Sequence, residues 1–427
     1  MPSKILRSRI VLPLVAPPIE NGAVLIKDDT IIEVAPFSSI SRNEDQDLID
    51  LGESILLPGL INCHCHLDYT KMAGMIPPLK HFSDWIKAII AIKASWSYTE
   101  FADSWISGAR MLERSGVTSV VDIEAVPELL PEVWPATPLR LWSCLELINV
   151  RSKTSPATLV SDALSQVATL ESSHPNQCGL SPHALYTTTD ELRQEALHRA
   201  RHDQRVLTTH IAESKEESAM YQSATGPLHD WLAPQGNAAH CGEGSPIAIL
   251  ERTGYLNYPI LAAHVNNLDA EDASQLASHH ASVAHCPRSH AYFNHPHFDW
   301  RSLQKAGVNI TLGTDSLASV KTKGNTTPRL DMFAEMTCLA TSESAPQPIE
   351  ILRWATINGA KAIFRSNDLG QLKGGFKADL IAIPFNGPIT KASEAVVSFD
   401  GEVSFSIING TMIGSLEQQA HLSSNSP

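Results

Sequence analysis

The chain lacks the features that would tie it to a membrane, a nucleic acid or a disulfide framework. No apolar run among its 427 residues is long enough to span a bilayer. Its first residues, Met1-Pro2-Ser3-Lys4-Ile5-Leu6-Arg7-Ser8-Arg9, break their apolar members with charge and hold no secretory apolar core, so no membrane targeting is expected. It has no basic stripe: 32 Lys and Arg stand against 46 Asp and Glu, a formal charge of −14. That balance works against capture of nucleic acid or anionic lipid and favours a small substrate that is not polyanionic. The seven cysteines are odd in number and include no CxxC pair, the usage of reduced thiols in a cytoplasmic protein.

What remains is ordinary for a soluble globular enzyme: 43% hydrophobic and 18% charged residues, with 23 Gly and 27 Pro. The length exceeds that of one growing core, so a large domain with an accessory one is expected. From Ile10 to Leu57, short β-branched runs (Ile10 to Val15, Ala23 to Ile26, Thr30 to Val34, Ser54 to Leu57) alternate with turn residues, which predicts a small antiparallel sheet. From Pro58 to about Arg365 the texture becomes apolar runs alternating with Ala- and Leu-rich helical segments. Eight runs stand out: Leu60 to Cys63, Val117 to Ile123, Leu139 to Leu147, Gly179 to Pro182, Val206 to His210, Ile260 to His264, Ser282 to Cys286 and Val308 to Gly313.

Eight such units predict an α/β protein built as a (β/α)8 TIM barrel, whose reactive groups sit at strand C-terminal ends. The connection from Ile211 to Tyr258 is the longest and is expected to hold helices and a loop over the barrel mouth. After a helical Pro348 to Phe364, strands are expected at Ala378 to Ile383, Ala395 to Phe399 and Val403 to Asn409. Neither β-rich end has enough strands to stand alone, so residues 1–57 and 369–413 are expected to form one composite sheet domain around the barrel at 58–368. The Ser-rich 414–427 is expected to be a flexible tail.

The chemistry starts at Leu57-Pro58-Gly59-Leu60-Ile61-Asn62-Cys63-His64-Cys65-His66. Residues two apart on a strand share a face, so His64 and His66 reach one ion together while Cys63 and Cys65 face away. The other runs end in polar groups too: His183 at the fourth, His210 at the fifth, His264 at the sixth, His285 at the seventh and Asp315 at the eighth. His64, His66, His210 and Asp315 make a mixed nitrogen and oxygen set suited to one divalent ion, zinc first and iron second, with a position left for water. Glu213 lies three residues past His210, where the strand gives way and parity no longer holds, and is placed to move protons. Its neighbours Glu216 and Glu217 read as a solvated helix start. His264 either shares a water proton with Asp315 or is a satisfied core histidine, and His183 is a ligand or a hydrogen-bond donor to substrate. His290, His295 and His297 read as loop residues without a role.

Assembled in order, these segments resemble the amidohydrolase superfamily, in its deaminase and chlorohydrolase branch. Leu57-Pro58-Gly59-Leu60-Ile61-Asn62-x-His64-x-His66, Ser181-Pro182-His183, His210-x-x-Glu213, Ala263-His264, His285-Cys286-Pro287-x-Ser289, Leu312-Gly313-Thr314-Asp315 and the late Gly370-Gln371-Leu372-Lys373-Gly374 segment carry the likeness. It implies one ion on His64, His66, His210 and Asp315, with Glu213, His264 and Asp315 catalytic and Glu213 and His183 contacting substrate. It implies hydrolytic deamination of an aminated heterocycle, most simply a purine nucleoside, in which a metal-activated water attacks and ammonia leaves. Phe82-Ser83-Asp84-Trp85-Ile86 resembles the helix start that lines the pocket in members acting on adenosyl compounds; Trp85 matches, whereas Ser83 stands where some of those members carry an acid that holds ribose hydroxyls. Asp84 or Asp68 is a candidate replacement. With His66-Leu67-Asp68-Tyr69-Thr70, this helix start is closer to deaminases of 6-amino-6-deoxyfutalosine.

Two other readings use the same residues. One is hydrolysis of a different C–N or C–Cl bond in a small heterocycle; the other, more remote, is an inactive metal-binding assembly protein. Self-association into a homo-oligomer is compatible with all of them.

Overall fold

The computed structural model describes residues 3–43, 46–322 and 327–413, so the expected tail lies outside the described residues. At the N-terminal end, β1 (Ser3–Val11), β2 (Ile19–Lys27) and β3 (Thr30–Pro36) form an antiparallel meander. The last turn is the two-residue Asp28-Asp29, with Asp28 at φ 54°, a conformation that short acidic side chains tolerate in hairpins. β4 (Gln46–Asp50) and β5 (Ser54–Pro58) then pair with β1 in parallel, against Ser3 to Arg7 and Ile10 to Val11 respectively. The sheet is therefore mixed, not purely antiparallel as the sequence suggested. β1 is nine residues long, enough to host two short partners in succession.

β6 (Leu60–Cys65), β7 (Val117–Glu124), β8 (Arg140–Leu147) and β9 (Gln177–Pro182) form one four-stranded parallel sheet. A second consists of β10 (Thr208–Ile211), β11 (Leu261–His264), β12 (Ser282–His285) and β13 (Asn309–Leu312). All eight strands coincide with the apolar runs of the sequence. The regular ladders stop at four strands each, and isolated parallel bridges carry the pairing across the seams: Leu180 to Leu207 and Ala184 to His210 on one side, Cys65 to Asp315 on the other. Helices separate the strands and start at side-chain caps, among them Ser97, Ser155, Thr189, Ser214 and Ser245. Strands covered on both faces need continuous apolar sequence, which is why these runs were legible.

The chain ends by returning to its beginning. β14 (Leu380–Pro384) pairs antiparallel with β5, and β15 (Phe405–Ile408) and β16 (Thr411–Ile413) extend that edge, giving eight strands drawn from both termini. The expected strand at Ala395 to Phe399 is instead a helix, Ala392–Val397. Ala392, Val396 and Val397 are its buried residues, a set that one helical face holds together and that the alternating faces of a strand would split.

Candidate active site

The carboxyl ends of the parallel strands converge, and the outermost pair of strands is sewn together first. Asn62 on β6 donates through Nδ2 to Thr314 Oγ1 (2.8 Å) and accepts at Oδ1 from the Thr314 amide (3.1 Å). The Thr314 and Asp315 amides both donate to the His64 carbonyl at 3.0 Å. Gly313 is required there: a Cβ would stand 2.8 Å from both the Cβ and the carbonyl oxygen of His64. This brings Asp315 Oδ1 to 3.8 Å from His64 Nε2 and 3.7 Å from His66 Nε2. The other carboxylate oxygen, Oδ2, accepts from Ser289 Oγ (2.7 Å) and Ser319 Oγ (2.9 Å), so only Oδ1 is left for an ion.

On the opposite side, His210 donates its amide to the His183 carbonyl (2.8 Å), and its Nδ1 lies 3.0 Å from that same oxygen. Such a bond places the proton on Nδ1 and leaves Nε2 as a lone-pair donor. That Nε2 stands 3.3 Å from His66 Nε2. Ligand atoms about 2.1 Å from a tetrahedral ion are about 3.4 Å apart, so the spacings of this cluster suit one ion. Three overlapping sets of buried groups have their ligand atoms within 4.8 Å of one another: His64, His210 and His264; His64, His66 and Asp315; and Glu213, His264 and Asp315. His64 Nε2 and His264 Nε2 are buried and accept or donate no hydrogen bond within the protein, as a metal-binding ring nitrogen must be. The donor set therefore fits a divalent ion. Neither Cys63 nor Cys65 belongs to it; Cys63 packs in an apolar cluster with Ile61, Val121 and Ala360.

Glu213 turns inward because Ala212, at φ 51°, breaks the strand just before it. Its Oε1 lies 3.7 Å from His264 Nε2. Left-handed backbone recurs at the site, at Ala212, His264 (φ 73°), Val265 (φ 51°) and Asp315 (φ 53°), none of them glycine. Strain of this kind persists only where surrounding structure enforces it, and it gathers at functional sites. Burial, with the nearby His210, lowers the His64 imidazole to about 3, and burial holds His66 and His264 well below the usual range, so all three are neutral, ligand-competent rings. Burial first, then the charges of Asp315 and Glu217, raises the Glu213 carboxyl well above its ordinary range.

Sequence reasoning read Glu216 and Glu217 as solvated, and the structure corrects both. Glu217 is fully buried and accepts from the amides of Ala212 (3.1 Å) and Glu213 (2.8 Å), gripping the strained turn. Glu216 reaches across to the helix Phe82–Ser95, where it accepts from the Phe82 and Ser83 amides. Sequence reasoning also missed Ser289 and Ser319 as supports of Asp315, and Glu146, near the end of β8 with its side chain 8% exposed. Glu146 lies 3.6 Å from Lys93 Nζ and 4.0 Å from His183 Nε2. A single acid inside the apolar run Leu145-Glu146-Leu147 was the available signal.

His183 stands beside the cluster without entering it: Nδ1 bonds Thr187 Oγ1 (2.8 Å), and burial lowers its imidazole to about 3. His285 is also outside the metal-capable sets and stacks flat on Phe298 at 3.8 Å. His290, expected in a loop, lies in the helix Pro287–Tyr292 and meets Asn266 Oδ1 at 2.9 Å. Trp85 is at the rim, its Nε1 donating to the Ala318 carbonyl (3.4 Å) and its ring edge-on to Phe293. Of the two candidate replacements for an acid at Ser83, Asp84 is half-exposed and paired with Lys87, whereas Asp68 is buried, 1% exposed, and feels the charges of Lys93, Asp122 and Glu146.

The chain belongs to the amidohydrolase family, whose model matches residues 55–413. It is 27% identical over 394 residues to the 5-methylthioadenosine/S-adenosylhomocysteine deaminase of Moorella thermoacetica, covering 88% of this chain and 85% of that one. It is 27% identical over 422 residues to the 5'-deoxyadenosine deaminase of Methanothrix thermoacetophila, covering 95% and 94%. The fold is shared with the Helicobacter pylori aminofutalosine deaminase solved with methylthio-coformycin, at a TM-score of 0.83 and 19% identity over 96% of this chain and all of that one.

Proposed function

We propose that this member of the amidohydrolase family is a metal-dependent hydrolytic deaminase that releases ammonia from an aminated heterocycle of purine-nucleoside type. The observation that carries the reading is the buried cluster in which His64, His66 and Asp315 stand at ligand spacing, His64, His210 and His264 form a second such set and Glu213, His264 and Asp315 a third, with His210 Nε2 3.3 Å from His66 Nε2. The divalent ion this set would hold, zinc in our assignment, supplies Lewis-acid activation of a water.

The chain's own groups do the rest. Ser289 and Ser319 fix the Asp315 carboxylate, so that Oδ1 and the His264 ring orient the water and take up its proton. Glu213, 3.7 Å from His264, gives a proton from its carboxyl to the ring nitrogen next to the carbon under attack, and the proton taken from the water passes to the amino nitrogen, so that the C–N bond breaks and ammonia leaves. Glu217 keeps Glu213 at that place by holding its amide. His183 contacts the heterocycle, and Trp85 walls the part of the substrate that does not react. The named relatives favour an adenosyl-like substrate, and an aminodeoxyfutalosine-like one shares the same reacting ring.

The two parallel sheets with their seam bridges are, in this reading, a (β/α)8 barrel at 58–368, with 1–57 and 369–413 as the accessory sheet domain. No helix among the described residues is long and apolar enough to cross a membrane, and the seven cysteines are free thiols. The test is ammonia release by metal-quantified protein from adenosine, methylthioadenosine, S-adenosylhomocysteine, guanine and aminodeoxyfutalosine. Release from at least one nucleoside is expected; none from any would overturn the proposal.

A further inference from the structure

The helix Phe82–Ser95 begins without a cap of its own: His81, at its N-terminus, makes no side-chain bond to the first turn. The missing acceptor comes from a residue 133 positions away. Glu216 accepts at Oε1 from the Phe82 amide and at Oε2 from the Ser83 amide, both at 3.1 Å, and Oε1 also meets His81 Nδ1 at 3.1 Å. Its side chain is 14% exposed, so these bonds are sheltered, and a carboxylate at a helix start also meets the positive end of the helix dipole. Glu216 stands three residues after Glu213, on the same turn that Glu217 anchors.

That first helical turn touches the other loops of the site as well. Trp85 donates to the carbonyl of Ala318, whose neighbour Ser319 bonds Asp315. Phe82 and Trp85 both meet the ring of Phe293 edge-on, at 5.3 and 5.1 Å, and Phe293 directly follows the helix that carries Ser289. Loops from three different strand ends, those of β10, β12 and β13, thus meet on one helical turn.

We infer that Glu216 is a positioning residue: by holding the first turn of Phe82–Ser95 it sets the aromatic wall of Phe82, Trp85 and Phe293 over the mouth of the site, where the unreacting part of the substrate rests. The inference builds on the deaminase reading. It predicts an effect on substrate binding, because Glu213, which moves the proton, is held separately by Glu217. Misplacement of a binding wall weakens binding without removing the reacting groups.

The test compares wild-type protein with Glu216→Ala and Glu216→Gln by steady-state ammonia release, metal content and amide hydrogen exchange over 81–95. Glu216→Ala should raise exchange in the first turn about tenfold and KM about tenfold, with kcat within about threefold and metal content unchanged. Glu216→Gln, which keeps acceptor oxygen without charge, should fall between, and serves if the alanine variant does not fold. In a Trp85→Ala background, the further rise in KM on Glu216→Ala should shrink to less than about twofold, since both act through one wall. Unchanged exchange, unchanged KM, additive effects, or a loss confined to kcat would each overturn the inference. If wild-type protein releases no ammonia from any substrate, the deaminase reading fails and the claim on KM falls with it, while the exchange measurement still decides whether Glu216 holds the turn.

Discussion

The two parallel sheets both run in sequence order and are both largely buried, yet their carboxyl ends carry different chemistry. The sheet β10 to β13 ends in His210 and His264 and leads into Asp315, groups that stand 3.3 Å from His66, 3.7 Å from Glu213 and 3.8 Å from His64 respectively. The sheet β6 to β9, after contributing His64 and His66, ends in acids that the protein itself engages in full or in part, Glu124 keeping one buried oxygen without a hydrogen-bond partner. Asp122 accepts from the Leu67 amide and from Trp105 Nε1, both at 2.9 Å; Glu124 accepts from the Val126 amide; Glu146 faces Lys93. Burial and strand-end position are therefore shared by reactive and supporting residues. What separates them is whether the fold already supplies their partners.

The comparison can be broken by substitutions ranked by their effect on turnover. Glu213→Gln should lower kcat by about a thousandfold while metal content, read by elemental analysis, stays at the wild-type level. His210→Ala should give a comparable loss with the metal gone, and chelation followed by added zinc should abolish and then restore wild-type activity. Asp122→Ala lies on the supporting sheet and touches no substrate, yet it frees the amide that follows His66; apparent metal affinity should fall about ten- to a hundredfold in a competition titration. If Asp122→Ala instead behaved like Glu213→Gln, the division between the two sheets would fail.

Glu217→Ala should lower kcat about tenfold, with KM little changed, because it releases the turn that aims Glu213. Its carboxyl also gives a pH test. Burial pushes it up from the ordinary 4.5 to about 7, against the backbone donors at Glu213, Ala212 and Ser214. The folded chain then holds a proton that the unfolded chain releases, so its contribution to stability is full below about pH 4.5 and is lost as the pH climbs to about 7. Melting temperature should fall over that window, and Glu217→Gln should flatten the slope. At the far end, Leu56→Ala in the mixed sheet should cost about 2–5 kcal/mol of stability in denaturant melts and leave KM unchanged, since it is buried in a separate apolar cluster.

Much of the parallel-sheet region was legible from the chain because its signals are local. An apolar run bounded by Gly, Pro and polar residues reads as a strand without knowledge of its neighbours, and each of the eight strands fell inside or beside such a run. The histidines that gather in the buried cluster, His64, His66, His210 and His264, were legible for the same reason, standing at or just past the ends of runs. The mixed sheet was harder. β4, Gln46–Asp50, has little apolar character and forms because β1 offers it an edge; the helix at Ala392–Val397 was mistaken for a strand because so short an apolar stretch fits both periods.

The sequence by itself determined most of the strand positions and the placing of His64 and His66 on one face, since these follow from residue type and a period of two. Tertiary structure alone decided which buried acids are engaged and which are free. Glu216 and Glu217 look alike within one helix start, and only contacts with the amides of Ala212 and Glu213 on one side and with a helix 133 residues away in sequence on the other give them different tasks. Such contacts join residues remote along the chain, and no local pattern encodes them.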